Sequence, residues 1–423
     1  MALTYNLKYR KQNFFNKVLL EKEGEIILDR HSLRLKGKGA RDHGENIFFA
    51  DMKELLVSKD EQEFTFITFK KEKYILSNFL NLFEAFLKDF YRVRNDFLAE
   101  SLFMKVGMLY HEYDGQIEVT NRFGKIFQKG KSRLQVYEGS MVVFPEKSDC
   151  FAVFYNFLKN HECDEDDYLI TLQTDTGSSV QISKLGTSFG DFKETLESLL
   201  GKMYEKIVNN LQEILPDFDA GTLLKLASVL REGKLVQIGI LKKIHEDLPQ
   251  KLQALTLQNC PGVMMEKLKI LREITDDQYF YLGICCYSRT DSRDLQVRSW
   301  FALGLPQQNL LALGMTSNPR DHYLYFFQIL AQHGDFSENL AEKINEINQS
   351  MYLFRYDFGP MYRDKHELKN TKYRTALRKS TFLRLLRRSY IGKSTNPDAA
   401  ALQGEIERFA GRAKIATIPV PAF

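Results

Sequence analysis

The sequence predicts an α+β protein of several domains, in which runs of short antiparallel strands are closed off by amphipathic helices. Three observations predict it. Strand-like runs of four to seven residues follow one another closely through the first half of the chain. A strand-to-helix junction occurs twice, 106 residues apart: Tyr74–Leu87 reads YILSNFLNLFEAFL and Val180–Lys193 reads VQISKLGTSFGDFK. Overlaid without a gap, these pair Ser77 with Ser183, Phe79 with Leu185, Phe83 with Phe189 and Phe86 with Phe192. Finally, 423 residues exceed what one core organises.

In the first block, residues 1–106, the expected strands are Phe15–Glu21, Glu25–Asp29, His31–Lys36, Asn46–Phe49, Lys53–Val57, Glu63–Phe69 and Lys73–Leu76. Gly24, Gly37, Gly39, Gly44 and the Lys59–Asp60 corner separate them. A helix starts near Asn78, where Phe79, Leu82, Phe83, Phe86, Leu87 and Phe90 make an apolar stripe at helical spacing. The second block, 107–216, repeats the plan with Gln116–Asn121, Lys125–Gln128, Arg133–Tyr137, Met141–Phe144, Phe151–Phe157, Tyr168–Thr174 and Ser178–Ser183. Its helix runs over Leu185–Leu215 and ends at Pro216.

Residues 217–276 read as a helical spacer, with helices at Thr222–Arg231, Ile238–Leu255 and Val263–Thr275. A third β-rich block, 277–360, has strands at Tyr279–Tyr287, Leu295–Leu303, Asn309–Thr316 and Tyr323–Leu330, then a helix at Leu340–Phe354. The C-terminal segment, 361–423, carries a helix at Phe382–Tyr390 that Ser380 or Thr381 can cap, and a shorter one at Ala399–Phe409. On the first of these, Phe382, Leu383, Leu385, Leu386 and Tyr390 share an arc of about 160°, opposite Arg384, Arg387 and Arg388.

About seven strands followed by one closing helix resembles the pleckstrin-homology (PH) superfold. The resemblance rests on layout and on the repeated Ser-x-Phe/Leu-x3-Phe-x2-Phe junction. It implies two tandem PH-like bent β-barrels, each plugged by its helix through Phe83 or Phe86 and Phe189 or Phe192, with a third, shorter PH-like unit at 277–360. The tryptophan usual in the eukaryotic PH helix is absent, which points to a divergent, bacterial-type family. The resemblance also implies a binding platform rather than a catalyst.

Charge is unevenly placed. Met361–Lys393 holds eleven Lys or Arg against two carboxylates, +9 in a chain of net +4, so the remainder is mildly acidic. Arg374, Arg378, Lys379, Arg384, Arg387 and Arg388 are therefore a candidate basic partner surface. Arg34, Lys36 and Lys38 alternate with Leu33 and Leu35, so with Arg41 they form a candidate anion- or lipid-binding rim, the kind of basic hairpin that PH domains use on phosphorylated head groups.

Other motifs carry less. Gly37-x-Gly39-x4-Gly44 has the wrong spacing for a nucleotide loop, and Asp164–Asp167 reads as a solvated turn. His161-x-Cys163 stands apart from any second ligand pair, and no catalytic triad or HExxH is present. No metal or cofactor is expected. Five cysteines without paired spacing suit a reducing cytoplasm, and neither a secretory signal nor an apolar span is legible. The expectation is a non-enzymatic scaffold that binds a protein partner, with the anionic inner face of a membrane next. Nucleic acid bound by 361–393 is one alternative, and an enzyme with an inter-domain site another.

Overall fold

A computed structural model describes residues 3–38, 44–58, 62–258, 262–288, 295–315, 323–329, 335–353, 373–396 and 398–416. Arg41, Cys260 and residues 361–372 lie outside the described residues. The protein is mixed α+β, with three antiparallel sheets and ten α-helices among the described residues. The chain forms two compact units, the first comprising Met1–Leu199 and the later helix Tyr373–Lys379, the second the rest.

In the first unit, β1 (Leu3–Gln12), β2 (Val18–Leu28), β3 (Ser32–Gly37), β4 (Glu45–Phe48), β5 (Met52–Val57), β6 (Phe64–Thr68) and β7 (Lys73–Ser77) precede helix α1 (Phe83–Ser101). Then come β8 (Leu109–Thr120), β9 (Ile126–Tyr137), β10 (Ser140–Pro145), β11 (Phe151–Phe154), β12 (Leu158–Asp164), β13 (Leu169–Thr174) and β14 (Ser179–Ser183), and α2 (Phe189–Ile214) begins. The sheets are ordered β4-β3-β2-β1-β7-β6-β5 and β11-β10-β9-β8-β14-β13-β12, the same order twice. In each, the two edge strands are consecutive in sequence, joined by three residues, Phe49–Asp51 or Tyr155–Phe157. A flat seven-stranded sheet would hold its edges about 29 Å apart, and so short a connection reaches about 15 Å at most. Each sheet must therefore curl on itself.

Several strand limits differ from the sequence expectation, for one physical reason. Short turns were sought at glycine and charge, whereas both opening hairpins turn at asparagine. Phe15 is at a hairpin tip rather than in a strand, and Leu3–Gln12, which precedes the first expected strand, is β1. Gly24 is inside β2 rather than at a turn; a Cβ there would meet the Lys36 carbonyl oxygen at 2.1 Å, so it allows close approach of β3. Lys125–Gln128 and Arg133–Tyr137 merge into one strand, β9, that runs through Gly130.

Helix α1 buries Phe83, Phe86, Leu87, Phe90 and Tyr91 in the first sheet's core, then Leu98 and Ala99 in a cluster with Tyr137, Val142, Phe144 and Cys150 of the second. Between those patches its buried stripe turns polar at Arg94 and Asn95. Asn95 Oδ1 accepts from the Cys150 amide at 3.0 Å and Asn95 Nδ2 donates to the Ser148 carbonyl at 2.9 Å, while Arg94 pairs with Asp149. Burial pushes the Arg94 guanidinium down to about 10.

In the second unit, α3 (Ala220–Leu230), β15 (Val236–Gln237), α4 (Ile238–Ile244), α5 (Leu248–Gln258) and α6 (Gly262–Glu273) lead to β16 (Phe280–Ser288), β17 (Leu295–Leu305), β18 (Leu310–Met315), β19 (Leu324–Gln328) and α7 (Phe336–Leu353). After α8 (Tyr373–Lys379), which belongs to the first unit, α9 (Thr381–Ser389), β20 (Tyr390–Ser394) and α10 (Leu402–Ala416) complete it. The sheet runs in simple order from β15 to β20. The regions read from sequence as spacer, third β-rich block and tail thus share one sheet and one core, which joins Leu226, Leu252 and Leu268 to Leu282, Phe326 and Phe409. Almost every residue of β18 and β19 is buried, so both faces of this sheet are covered, unlike a barrel closed by a single helix.

Candidate functional site: two matched hairpin tips

The basic rim is where alternation puts it. Arg34, Lys36 and Lys38 are exposed on and just after β3, and Leu33 and Leu35 are buried. The neighbouring strand answers two of the three charges: Lys36 Nζ lies 3.5 Å from Glu25, and Lys38 Nζ 2.9 Å from Glu23, whose carboxyl it holds below the usual range. Arg41 is outside the described residues. These lysines belong to a cross-strand ladder that also pairs Lys8 and Arg10 with Glu21.

The C-terminal cations are divided between the two units. Arg374, Arg378 and Lys379 belong to the first unit, and Arg384, Arg387 and Arg388 to the second. On α8, Arg378 and Arg374 reach Asp51 at 2.9 and 3.7 Å, and Lys379 donates to the Met52 carbonyl. Burial pulls the Lys379 ammonium down to about 7, the Arg94 charge adds to that, and Asp51 opposes it. On α9, Leu383 and Leu386 are fully buried against α7 and β19, while Arg384 and Arg388 are exposed and Arg387 is half-buried. Ser380 precedes α9 but makes no side-chain cap bond.

The acidic run closes the β12–β13 turn, where Asp164 Oδ1 accepts from the amides of Asp166 and Asp167 at 3.0 and 3.1 Å. Cys150 is buried and its thiol is pushed up to about 12 by that burial, far from a reactive thiolate. Among the described residues no group of three or more His, Cys, Asp or Glu could hold a metal ion. No helix of the described residues is long and apolar enough to cross a membrane.

The most pointed feature is one that sequence reading passed over. The β1–β2 tip reads Asn13-Phe14-Phe15-Asn16-Lys17-Val18-Leu19, and the β8–β9 tip Asn121-Arg122-Phe123-Gly124-Lys125-Ile126-Phe127. In both, the asparagine Oδ1 accepts two backbone bonds at 3.0 Å, from Phe15 and Lys17 or from Phe123 and Lys125. In both, the fourth residue is left-handed, Asn16 at φ 59° and Gly124 at φ 75°. These stapled turns hold the same apolar triplet in solvent: Phe15, Val18 and Leu19 are 83, 45 and 54% exposed, and Phe123, Ile126 and Phe127 are 79, 48 and 61% exposed. Each tip also carries cations. Lys71 lies over Phe14 at 4.6 Å, Arg122 over Phe123 at 4.9 Å, and Lys17 and Lys125 are exposed.

The legible signal was Asn-x-Phe-x-Lys repeated at an offset of 108. It escaped notice because Phe15 and Val18–Leu19 look like ordinary strand residues, and the asparagine staple becomes meaningful only once the turn is known. No protein-family model matches the sequence, and no curated protein matches it.

Proposed function

We propose that this protein is a binding scaffold whose two curled sheets are PH-like units in tandem, and that it docks on an anionic membrane surface through the two hairpin tips. The observation that carries this reading is the matched exposure of Phe15 and Phe123 on identically stapled turns. A large aromatic fully in water forgoes about 1.5–3 kcal/mol of burial. A rigid tip that presents one, ringed by lysine and arginine, suits the boundary between head groups and acyl chains. There the ring is buried and each cation near an anionic surface adds about 1 kcal/mol. A convex tip needs a soft surface or a matching pocket, and a bilayer provides the first.

A protein partner is the second reading, favoured by β5. Among the described residues this edge strand pairs only with β6, and it leaves Leu56 55% and Val57 37% exposed, so an added strand could extend the sheet there. The basic 361–393 segment carries the nucleic-acid alternative less far, because three of its cations are engaged with the Asp51–Met52 corner.

Liposome flotation tests the membrane reading. The protein should float with vesicles containing phosphatidylserine and much less with pure phosphatidylcholine. Phe15→Ser with Phe123→Ser should abolish flotation while leaving the melting temperature unchanged, since both rings are in solvent. Flotation that ignores lipid charge, or survives the double substitution, would reject it.

A further inference from the structure

A cleft of about 590 Å³ lies beside α1, on the second sheet, away from the residues that form the tips. Its floor is apolar, formed by Phe144 and Pro145 at the end of β10, and the Arg133 guanidinium covers the Phe144 ring at 4.6 Å. Its walls are cationic. Lys88 and Arg92 come from α1, Lys131 and Arg133 from β9, and Lys184 from the turn after β14. Asp114 and Glu146 are the only carboxylates among the lining residues.

The local pairing separates structural charges from available ones. Arg92 is held by Asp89 at 2.9 Å, and Arg133 is shared between Asp96 at 3.2 Å and Glu112 at 3.6 Å. Among the described residues Lys88, Lys131 and Lys184 have no carboxylate within 4.0 Å, and all three are exposed. Three ammonium groups from three elements thus line one concavity without a carboxylate within 4.0 Å, and the lining as a whole carries five cations against Asp114 and Glu146, whereas the first sheet answers Lys36 and Lys38 with glutamates. Backbone strain adds a second observation. Lys184 is left-handed at φ 55°, and the residue 106 positions earlier, Asn78, has φ 60°. Asparagine tolerates that conformation, but lysine sits there at a cost of about 1–2 kcal/mol.

We infer that the cleft is a binding site for a phosphomonoester carried on a compact apolar or sugar-like group. A dianionic phosphate has acceptor oxygens for several ammonium donors, and the Phe144–Pro145 floor receives the uncharged remainder. A free soluble ester and a phosphatidic-acid head group share this chemistry. The site is independent of the tips, so either can fail without the other.

Calorimetric titration of the full-length protein with inorganic phosphate and glycerol 3-phosphate, beside flotation on phosphatidic-acid vesicles, tests the site. The tip variant Phe15→Ser with Phe123→Ser serves as background for the vesicle arm. Saturable binding of glycerol 3-phosphate identifies a free ester, and capture by the vesicles alone identifies a head group. In either case Lys131→Gln and Lys184→Gln should each weaken binding about tenfold; the tip variant should bind the soluble ester as the wild type does, and any flotation it keeps on phosphatidic-acid vesicles reports the cleft alone. No saturable binding in any arm would overturn the site, as would affinity unchanged in the Lys131→Gln, Lys184→Gln double variant. Because the lysines are exposed, both variants should melt as the wild type, so lost binding reports the site and not the fold.

Discussion

The two seven-stranded sheets share a strand order, an asparagine-stapled first hairpin and even their corner bonds. The amide of Phe69 donates to the Asp51 carbonyl at 2.9 Å, and 106 residues later Asp175 donates to Phe157 at the same distance. They differ in how their charges are answered. In the first sheet glutamates on β2 meet Lys8, Arg10, Lys36 and Lys38, and Asp51 holds α8. In the second, Glu118 meets Lys129 and Glu112 meets Arg133 in the same way, but among the described residues Lys131 and Lys184 open on the cleft with no carboxylate within 4.0 Å. The shared backbone plan therefore does not tell the two sheets apart at this cleft; charge compensation does. A lysine with a cross-strand glutamate is part of the sheet's ladder, and the proposed cleft draws on lysines without one.

The comparison is sharpest where the sheets meet on α1. Asn95 satisfies the Cys150 amide and the Ser148 carbonyl while 1% exposed, so Asn95→Ala leaves both groups orphaned. A loss of about 2–4 kcal/mol is expected in urea unfolding. If α1 merely touched the second sheet, the loss would be under about 1 kcal/mol, and the sheets would melt in separate transitions.

Much of this was legible in the sequence, and the limits have physical causes. The junction repeat located both helices, because a stripe of Phe83, Phe86, Leu87 and Phe90 is a strong helical period and all four are buried. The alternation of Arg34 and Lys36 with Leu33 and Leu35 likewise gave the correct faces. What sequence could not give was pairing across strands. Lys38 is legible as a cation, but its neutralisation by Glu23 depends on register. The third sheet was divided among spacer, block and tail because its edge strands are short and distant in sequence, Val236–Gln237 and Tyr390–Ser394. Arg374, Arg378 and Lys379 read as a free basic surface because Asp51, more than 300 positions away, is invisible to local pattern.

A smaller effect separates the sheets at their junctions. Leu80 and Gly186 occupy equivalent left-handed positions, at φ 54° and 59°, and Leu80 is 83% exposed. Leucine there has strain without burial to offset it. Leu80→Gly should therefore be neutral or stabilising by about 0.5–1 kcal/mol, and Gly186→Leu destabilising by about 1 kcal/mol. Thermal melts of the two single variants read opposite signs if the junctions are equivalent; equal signs would break the equivalence.

A pH-dependent effect concerns the corner that, among the described residues, the first sheet alone shares with α8. Phe157, buried, stands where the first sheet has Asp51. Lys379, beside Arg374, Arg378, Asp51 and buried Arg94, has its ammonium lowered to about 7 chiefly by burial. The folded protein then releases this proton at lower pH than the unfolded chain does. Between pH 7 and the ordinary lysine range the unfolded state binds more protons, so stability rises with pH through that window. Below pH 7 both states are protonated, and the cost of the buried charge is carried in full. Urea midpoints should therefore increase from pH 7 to pH 9, and Lys379→Met should reduce that increase, since it removes the titrating group while keeping the buried stem. An identical increase in the variant would assign the pH dependence elsewhere and leave the Asp51 corner held by Arg374 and Arg378 alone.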